Sequence, residues 1–297
     1  MFDSEPSTKT RKSLFGVPID DLSIVIQGPV VIEGNVNITQ SLITELKKVM
    51  PGVEVIFSTW NEELTAGFDC SVVKNIDPGV VHADFLFIRN SKRLLLSTVS
   101  GMNEATRQYC LKVRSDTKLD SQMFMSSSEA GSSVPDRIHL LMHSSPGLIF
   151  LIDDKLQFGP TRKLQRMWSF DFDSYYSLSC MKFLESKSLT KFGMASANDL
   201  AIEQVLCLNY LDYSIDSSDS FLRHLYRYLR FTRKNFHYVS AVELGFSSSK
   251  LDYKRSFRIS TYILALRHLP LWILSGVFFT YAIYRSLRLM IDRLAWF

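Results

Sequence analysis

Between Leu22 and Phe57 the chain reads as strand, helix and strand in close succession, and this stretch constrains the fold more than any other. Leu22 to Ile26 (LSIVI) is a short apolar run of the kind buried within a sheet, stopped by Gln27-Gly28-Pro29 in a tight loop. Asn37 offers a side-chain oxygen to start a helix in which Ile38, Leu42, Leu46 and Val49 recur at near-helical spacing. Gln40 stands three residues beyond the cap, as in a capping box, and Pro51-Gly52 ends the helix. Val53 to Phe57 (VEVIF) then gives a second strand running into Ser58-Thr59-Trp60. Two strands joined by one helix should lie parallel, with a right-handed crossover.

The pattern continues. Ser71 to Val73 reads as a third strand, Arg93 to Arg107 as a helix presenting Leu95, Val99 and Met102 to the sheet, and Tyr109 to Val113 as the next strand. The expected architecture is an open α/β sheet with helices packed on it, and in such sheets ligands bind beyond the carboxyl ends of the strands. Three of these ends carry polar residues or glycine: Gln27-Gly28-Pro29, Ser58-Thr59-Trp60 and Arg114-Ser115-Asp116. They should share one rim. Residues 121 to 136, rich in serine, read as a mobile surface loop beside it. Apolar segments return at Ile138 to Met142 and at Leu148 to Ile152, the second ending in Asp153-Asp154, and Thr161 to Trp168 and Asn198 to Leu211 read as helices.

With 297 residues, 46% of them hydrophobic and 22% charged, the chain has the composition of a globular protein able to bury a full core. Its four cysteines (Cys70, Cys110, Cys180, Cys207) are far apart, so neither a disulfide framework nor a zinc ribbon is expected, and a reducing cytosol fits. Residues 1–20 lack the apolar segment of a secretory signal and read as a flexible tail. The net charge of +4 is mild but uneven, because Arg223, Arg227, Arg230, Arg233, Lys234 and Lys254 cluster against Glu243 and Asp252. Leu269 to Tyr284 is uncharged and flanked by Arg267 and Arg285. As a helix it would reach about 24 Å, short of the ~30 Å hydrocarbon core. With the amphipathic residues beyond it, the segment suits association with an anionic membrane surface, the alternative being two soluble helices closing the core. The division expected is a tail at 1–20, a catalytic domain at 21–215 and a basic, amphipathic C-terminal region at 216–297.

Asp116, just past a buried strand, admits two roles. It can cap the following loop, or hold a divalent cation across a diphosphate, as hard oxygen ligands do for magnesium or manganese. Arg114 can hold the same anion or turn to a neighbouring carboxylate. Trp60 can stack on a base or sugar, or pack the rim. His139 and His143, four residues apart without an acid in register, read as structural. No GxGxxG, Walker, HExxH or GxSxG motif occurs, which removes the common dinucleotide, kinase, metalloprotease and lipase classes, and no nucleic-acid partner is expected.

Six stretches in order resemble the WavE lipopolysaccharide synthesis family: SIVIQGPV (23 to 30), NITQSLITELKKVMPGVEVIFSTW (37 to 60), RLLLSTVSGMNEA (93 to 105), YCLKVRSD (109 to 116), IDDKLQFGPTRKLQRMW (152 to 168) and IEQVLCLNYL (202 to 211). The resemblance implies a GT-A-like (Rossmann-like), mixed and largely parallel sheet flanked by helices. It implies a glycosyltransferase using a nucleotide-sugar donor and a lipid-linked or glycan acceptor of lipopolysaccharide or capsule, working at the cytoplasmic face of the inner membrane. By that resemblance Gln27, Gly28, Pro29, Thr59, Trp60, Arg93, Thr98, Arg114, Ser115 and Asp116 would bind the nucleotide-sugar. Asp116 would also hold a divalent cation (Mn or Mg), with RSD standing where such enzymes carry DxD, although only one acid of that motif is present. Glycosyl transfer needs a base for the attacking hydroxyl, and Asp154 and Glu203 are the candidates. The alternatives are a non-catalytic assembly protein on the same fold, or a nucleotidyltransferase.

Overall fold

The computed structural model describes residues 13–80, 89–129, 136–141, 150–186, 200–241 and 243–248. Among them seven strands form a central sheet: β1 (Leu22–Gln27), β2 (Glu54–Trp60), β3 (Ser71–Asn75), β4 (Tyr109–Arg114), β5 (Ile138–Leu141), β6 (Leu156–Pro160) and β7 (Phe236–Val239). Their order is β7-β5-β6-β4-β1-β2-β3. Every pair is parallel except those of β6, which runs antiparallel to both β4 and β5. The mixed, largely parallel α/β sheet expected from the sequence is therefore present, flanked by helices α1 (Ile38–Val49), α2 (Ser91–Glu104), α3 (Ser121–Glu129), α4 (Thr161–Trp168), α5 (Phe172–Glu185), α6 (Ile202–Leu211) and α7 (Phe221–Asn235).

Alternation along each strand divides the core in two. Ile24, Ile26, Phe57, Leu111 and Val113 pack with Leu42 and Leu46 of α1 and Phe124 of α3. Val25, Ile56 and Cys110 pack on the opposite face with Met102 of α2, Leu164 and Trp168 of α4, and Val205 and Leu206 of α6. Side chains buried on both faces explain why the strands read as continuous apolar runs. Helix α2 lies close to the sheet because Gly101 has no side chain; a Cβ there would stand 2.6 Å from Val25 Cγ1. Asn37 caps α1 as expected, accepting from the Gln40 amide at 3.0 Å, but the Gln40 side chain reaches Gly67 O at 3.4 Å instead of closing a capping box.

Three expectations need correction. Residues 13–20 are not a loose tail: Ser13–Leu14 pairs with Val17–Pro18, and Leu14, Phe15 and Val17 are buried in the core. The serine-rich stretch after Leu119 holds a helix, because Asp120 Oδ1 accepts from the amides of Gln122 and Met123 and Phe124 anchors the first turns in the core. The domain does not stop at 215: α7 packs on the core, Phe236–Val239 supplies the sheet edge, and Phe246–Ser248 pairs with Thr117–Leu119. Leu269–Tyr284 and His143 lie outside the described residues; among the described residues no helix is long and apolar enough to cross a membrane.

Candidate functional site

The three polar strand ends do meet on one rim. Register sets Gln27 opposite both Ser58 and Arg114. Beyond the last pairs the chain ends remain joined, Gly28 N donating to Ser58 O at 3.1 Å and Ser115 N to Gln27 O at 2.9 Å. Gly28 has φ +124, and a Cβ on it would stand 2.6 Å from Ser115 Oγ, so the tight crossing of β1 and β4 requires glycine. Thr39 at the start of α1 ties the same point, donating to Ser115 O at 3.2 Å and accepting from Val31 N at 2.9 Å. The Gln27 side chain is held by Ser97 of α2, whose hydroxyl donates to Oε1 at 3.0 Å.

Strand β6 brings a second group to this rim. Because it runs opposite to β4, with Leu156 paired to Val113, its beginning lies where the parallel strands end. Asp153 and Asp154, just before that beginning, therefore sit beside Arg114-Ser115-Asp116. Asp153 is tied down by Lys155, whose amide donates to Oδ1 at 2.7 Å. Its carbonyl accepts from Gln157 Nε2 at 2.8 Å, and Gln157 Oε1 in turn accepts from Trp168 Nε1 at 2.7 Å.

Charges here are few and close. Arg114 grips Asp116 with two parallel hydrogen bonds, Nε to Oδ1 at 2.9 Å and Nη2 to Oδ2 at 2.8 Å, and places Nη1 3.7 Å from Asp154 Oδ2. Two residues back along β4, fully buried Lys112 donates to the Asp154 carbonyl and lies 5.0 Å from the Trp168 ring centre. Burial pushes the Lys112 amine down to about 8 despite the attraction of Asp154. Burial pushes the Asp154 carboxyl up, but Lys112 and Arg114 outweigh it and hold the group below the usual carboxylate range. Glu203 behaves oppositely. Burial, then the charge of Asp154, raise its carboxyl to about 7. The two carboxyls are therefore shifted in opposite directions, Asp154 held ionised and Glu203 raised toward neutral pH.

These groups line a cavity of about 830 Å³, within the size range of small-molecule sites. Of the sequence candidates, Gln27, Gly28, Pro29, Trp60 and Arg93 line it, as do Arg114, Ser115, Asp116, Asp154 and Glu203. Thr59 and Thr98 do not: both are fully buried behind the rim. Beside Glu203, Gln204 is buried and turns inward, its Oε1 accepting from Ala201 N at 3.1 Å. His139 is structural, buried against His237 at 4.7 Å between ring centres, with burial driving its pKa to about 3. Sequence reasoning missed Ser91, Ser97 and Asp77 of the lining. Asp77 holds Arg93 through Nε at 2.7 Å and through Nη2. Ser97 had a signal, standing one turn after Arg93 on the same helix face.

The described residues around Asp116 do not assemble a divalent-cation cage. Both oxygens of Asp116 face the Arg114 guanidinium, Asp77 is engaged by Arg93, and among the described residues no group of three His, Cys, Asp or Glu side chains converges. Positive charge comes to Asp116 and Asp154 from Arg114 itself.

The fold is thus an α/β sheet with its polar strand ends gathered over one cavity and Glu203 in the cavity wall. Residues 22–262 match the family described as WavE lipopolysaccharide synthesis, and the chain belongs to that family. The match supports a role in lipopolysaccharide synthesis. No curated protein matches the sequence. Similar solved structures include 4-diphosphocytidyl-2C-methyl-D-erythritol synthase from Anaerococcus prevotii (8% identity, TM-score 0.39, covering 82% of this chain and 98% of that one). A putative glucose-1-phosphate thymidylyltransferase from Bacillus anthracis (8%, 0.39, 84% and 96%) and mouse xyloside xylosyltransferase 1 (6%, 0.35, 75% and 86%) are also similar. Likenesses this distant carry no argument about activity.

Proposed function

We propose that the protein is a glycosyltransferase that moves a sugar from a nucleotide-sugar donor, held over the ends of β1, β2 and β4, to a hydroxyl of a lipopolysaccharide acceptor. The observation that carries this reading is Glu203, which lines the cavity with a carboxyl raised to about 7. A hydroxyl nucleophile must lose a proton as it attacks, and a carboxylate with a pKa near the working pH is the effective base. The phosphate nucleophile of a nucleotidyl transfer is already ionised and has no use for such a group. Glu203 thus favours glycosyl over nucleotidyl transfer.

Other residues take supporting roles. Asp154, kept ionised by Lys112 and Arg114, accepts hydrogen bonds from sugar hydroxyls and raises the basicity of Glu203. Trp60, 8% exposed at the end of β2, offers a ring face for the base or sugar. Gln27, fixed by Ser97, presents its amide to the donor. The divalent cation implied by the resemblance has no place in this scheme.

Membrane attachment is part of the proposal. On α7, Leu222, Tyr226, Arg230 and Lys234 are exposed along one side, a combination of apolar and basic groups that suits an anionic lipid surface and a lipid-linked acceptor. The deciding assay incubates the protein with candidate nucleotide-sugars and acceptor, and separately with nucleoside triphosphates and sugar 1-phosphates, and identifies the small product. Release of a nucleoside diphosphate or monophosphate supports the reading; release of pyrophosphate assigns a nucleotidyltransferase instead, and binding of no donor favours an assembly protein.

A further inference from the structure

The first turn of α2 is oddly charged. Helix N-termini carry partial positive charge and favour acids, yet this turn holds Lys92 and Arg93 and no acid. Asn90 occupies the cap position without giving a side-chain hydrogen bond, so the leading backbone N–H groups lack the usual side-chain acceptor. Next to it, Ser91 is 2% exposed, lines the cavity and has a hydroxyl with no hydrogen-bond partner. A buried hydroxyl left unpaired costs free energy, and at a cavity wall it points to a ligand. Arg93 completes the corner: Asp77 takes Nε and Nη2 and leaves Nη1 available.

We propose that the first turn of α2, with Ser91 and Arg93, is a phosphate subsite that receives the diphosphate of the donor. It rests on the transferase reading above for the identity of the ligand, but not for the presence of the anion site. Amide N–H groups at a helix start, one hydroxyl and one guanidinium are the components from which phosphate sites are made without a metal. Asp77 then has a second role: it orients Arg93 and competes with the arriving anion.

Calorimetry of the full chain with inorganic pyrophosphate, and with UDP, GDP and CDP, in the presence of EDTA tests this. The unaltered protein should bind pyrophosphate weakly and one nucleoside diphosphate more tightly. Ser91→Ala and Arg93→Gln should each weaken both by roughly tenfold, with melting temperatures showing that both variants are folded. Asp77→Asn should tighten pyrophosphate binding, an outcome that a merely structural ion pair does not give. The proposal is overturned if pyrophosphate does not bind, or if folded Ser91→Ala and Arg93→Gln proteins keep full affinity. Donor turnover unaffected by either substitution would leave the transferase standing and remove the subsite alone.

Discussion

Arg114 holds both carboxylate oxygens of Asp116, two residues further along the same chain, at 2.9 and 2.8 Å. The pair closes the end of β4 and turns an acid that could have been a lone metal ligand into half of a fixed ion pair. With Nη1 3.7 Å from Asp154, the guanidinium is shared by the two carboxylates facing the cavity. Lysine cannot make the fork. Arg114→Lys is therefore expected to lower turnover at least tenfold and to raise the pKa of Asp154, checked by steady-state kinetics and by NMR titration of labelled carboxylates.

Because Arg114 supplies the positive charge at Asp116, removal of divalent ions should matter little. Dialysis against EDTA is expected to change donor affinity less than about threefold, well under the ~1.4 kcal/mol that a tenfold change represents. A larger loss, restored by manganese, would return Asp116 to the role of metal ligand.

Gly28 tests the crossing of β1 and β4. A methyl group at this position meets Ser115 Oγ at 2.6 Å and forces φ +124 on an L-residue. Gly28→Ala should destabilise the protein by about 1–3 kcal/mol and weaken donor binding, read by denaturant unfolding and calorimetry.

Much of this arrangement was legible in the sequence, and the division has physical causes. The β1-α1-β2 unit and the helix at Thr161–Trp168 are local patterns, so apolar spacing and the Asn37 cap reveal them. The polar strand ends followed, because parallel strands put their carboxyl ends on one edge. Asp154 reaches the rim because it precedes a strand whose reversal brings it there, and reversal depends on pairing between Leu156 and Val113, distant in sequence. The edge strand Phe236–Val239 was missed likewise, since its partner β5 lies far back along the chain. The Arg93–Asp77 pair and the hydroxyl of Ser91 needed three dimensions; neither residue pattern announces itself.

Asp154 and Glu203 can be separated by charge. If Asp154 were the base, Asp154→Asn would abolish turnover at every pH. In the present account it removes the neighbouring charge that helps raise Glu203, so residual activity should persist with its acid limb moved to lower pH. A pH–rate profile of the variant distinguishes the two.

Glu203 should also mark the stability of the protein. Its folded pKa, about 7, lies above the value of an unfolded glutamate. Between those values the native state binds more protons than the unfolded state, so this group's contribution to stability falls as pH rises and is fully lost above pH 7. Glu203→Gln should be more stable than the parent by roughly 1–3 kcal/mol at pH 8, and nearly equal to it at pH 4, in urea unfolding.

The most direct test is the rate of sugar transfer by the parent and by Glu203→Gln across pH 5 to 9, measured as release of the free nucleotide. The parent rate should rise with pH through about 7. The variant should bind donor normally but turn over some 10²–10⁴-fold more slowly with that limb gone. A Glu203→Gln protein that transfers sugar at the parent's rate, with the same pH dependence, would contradict it.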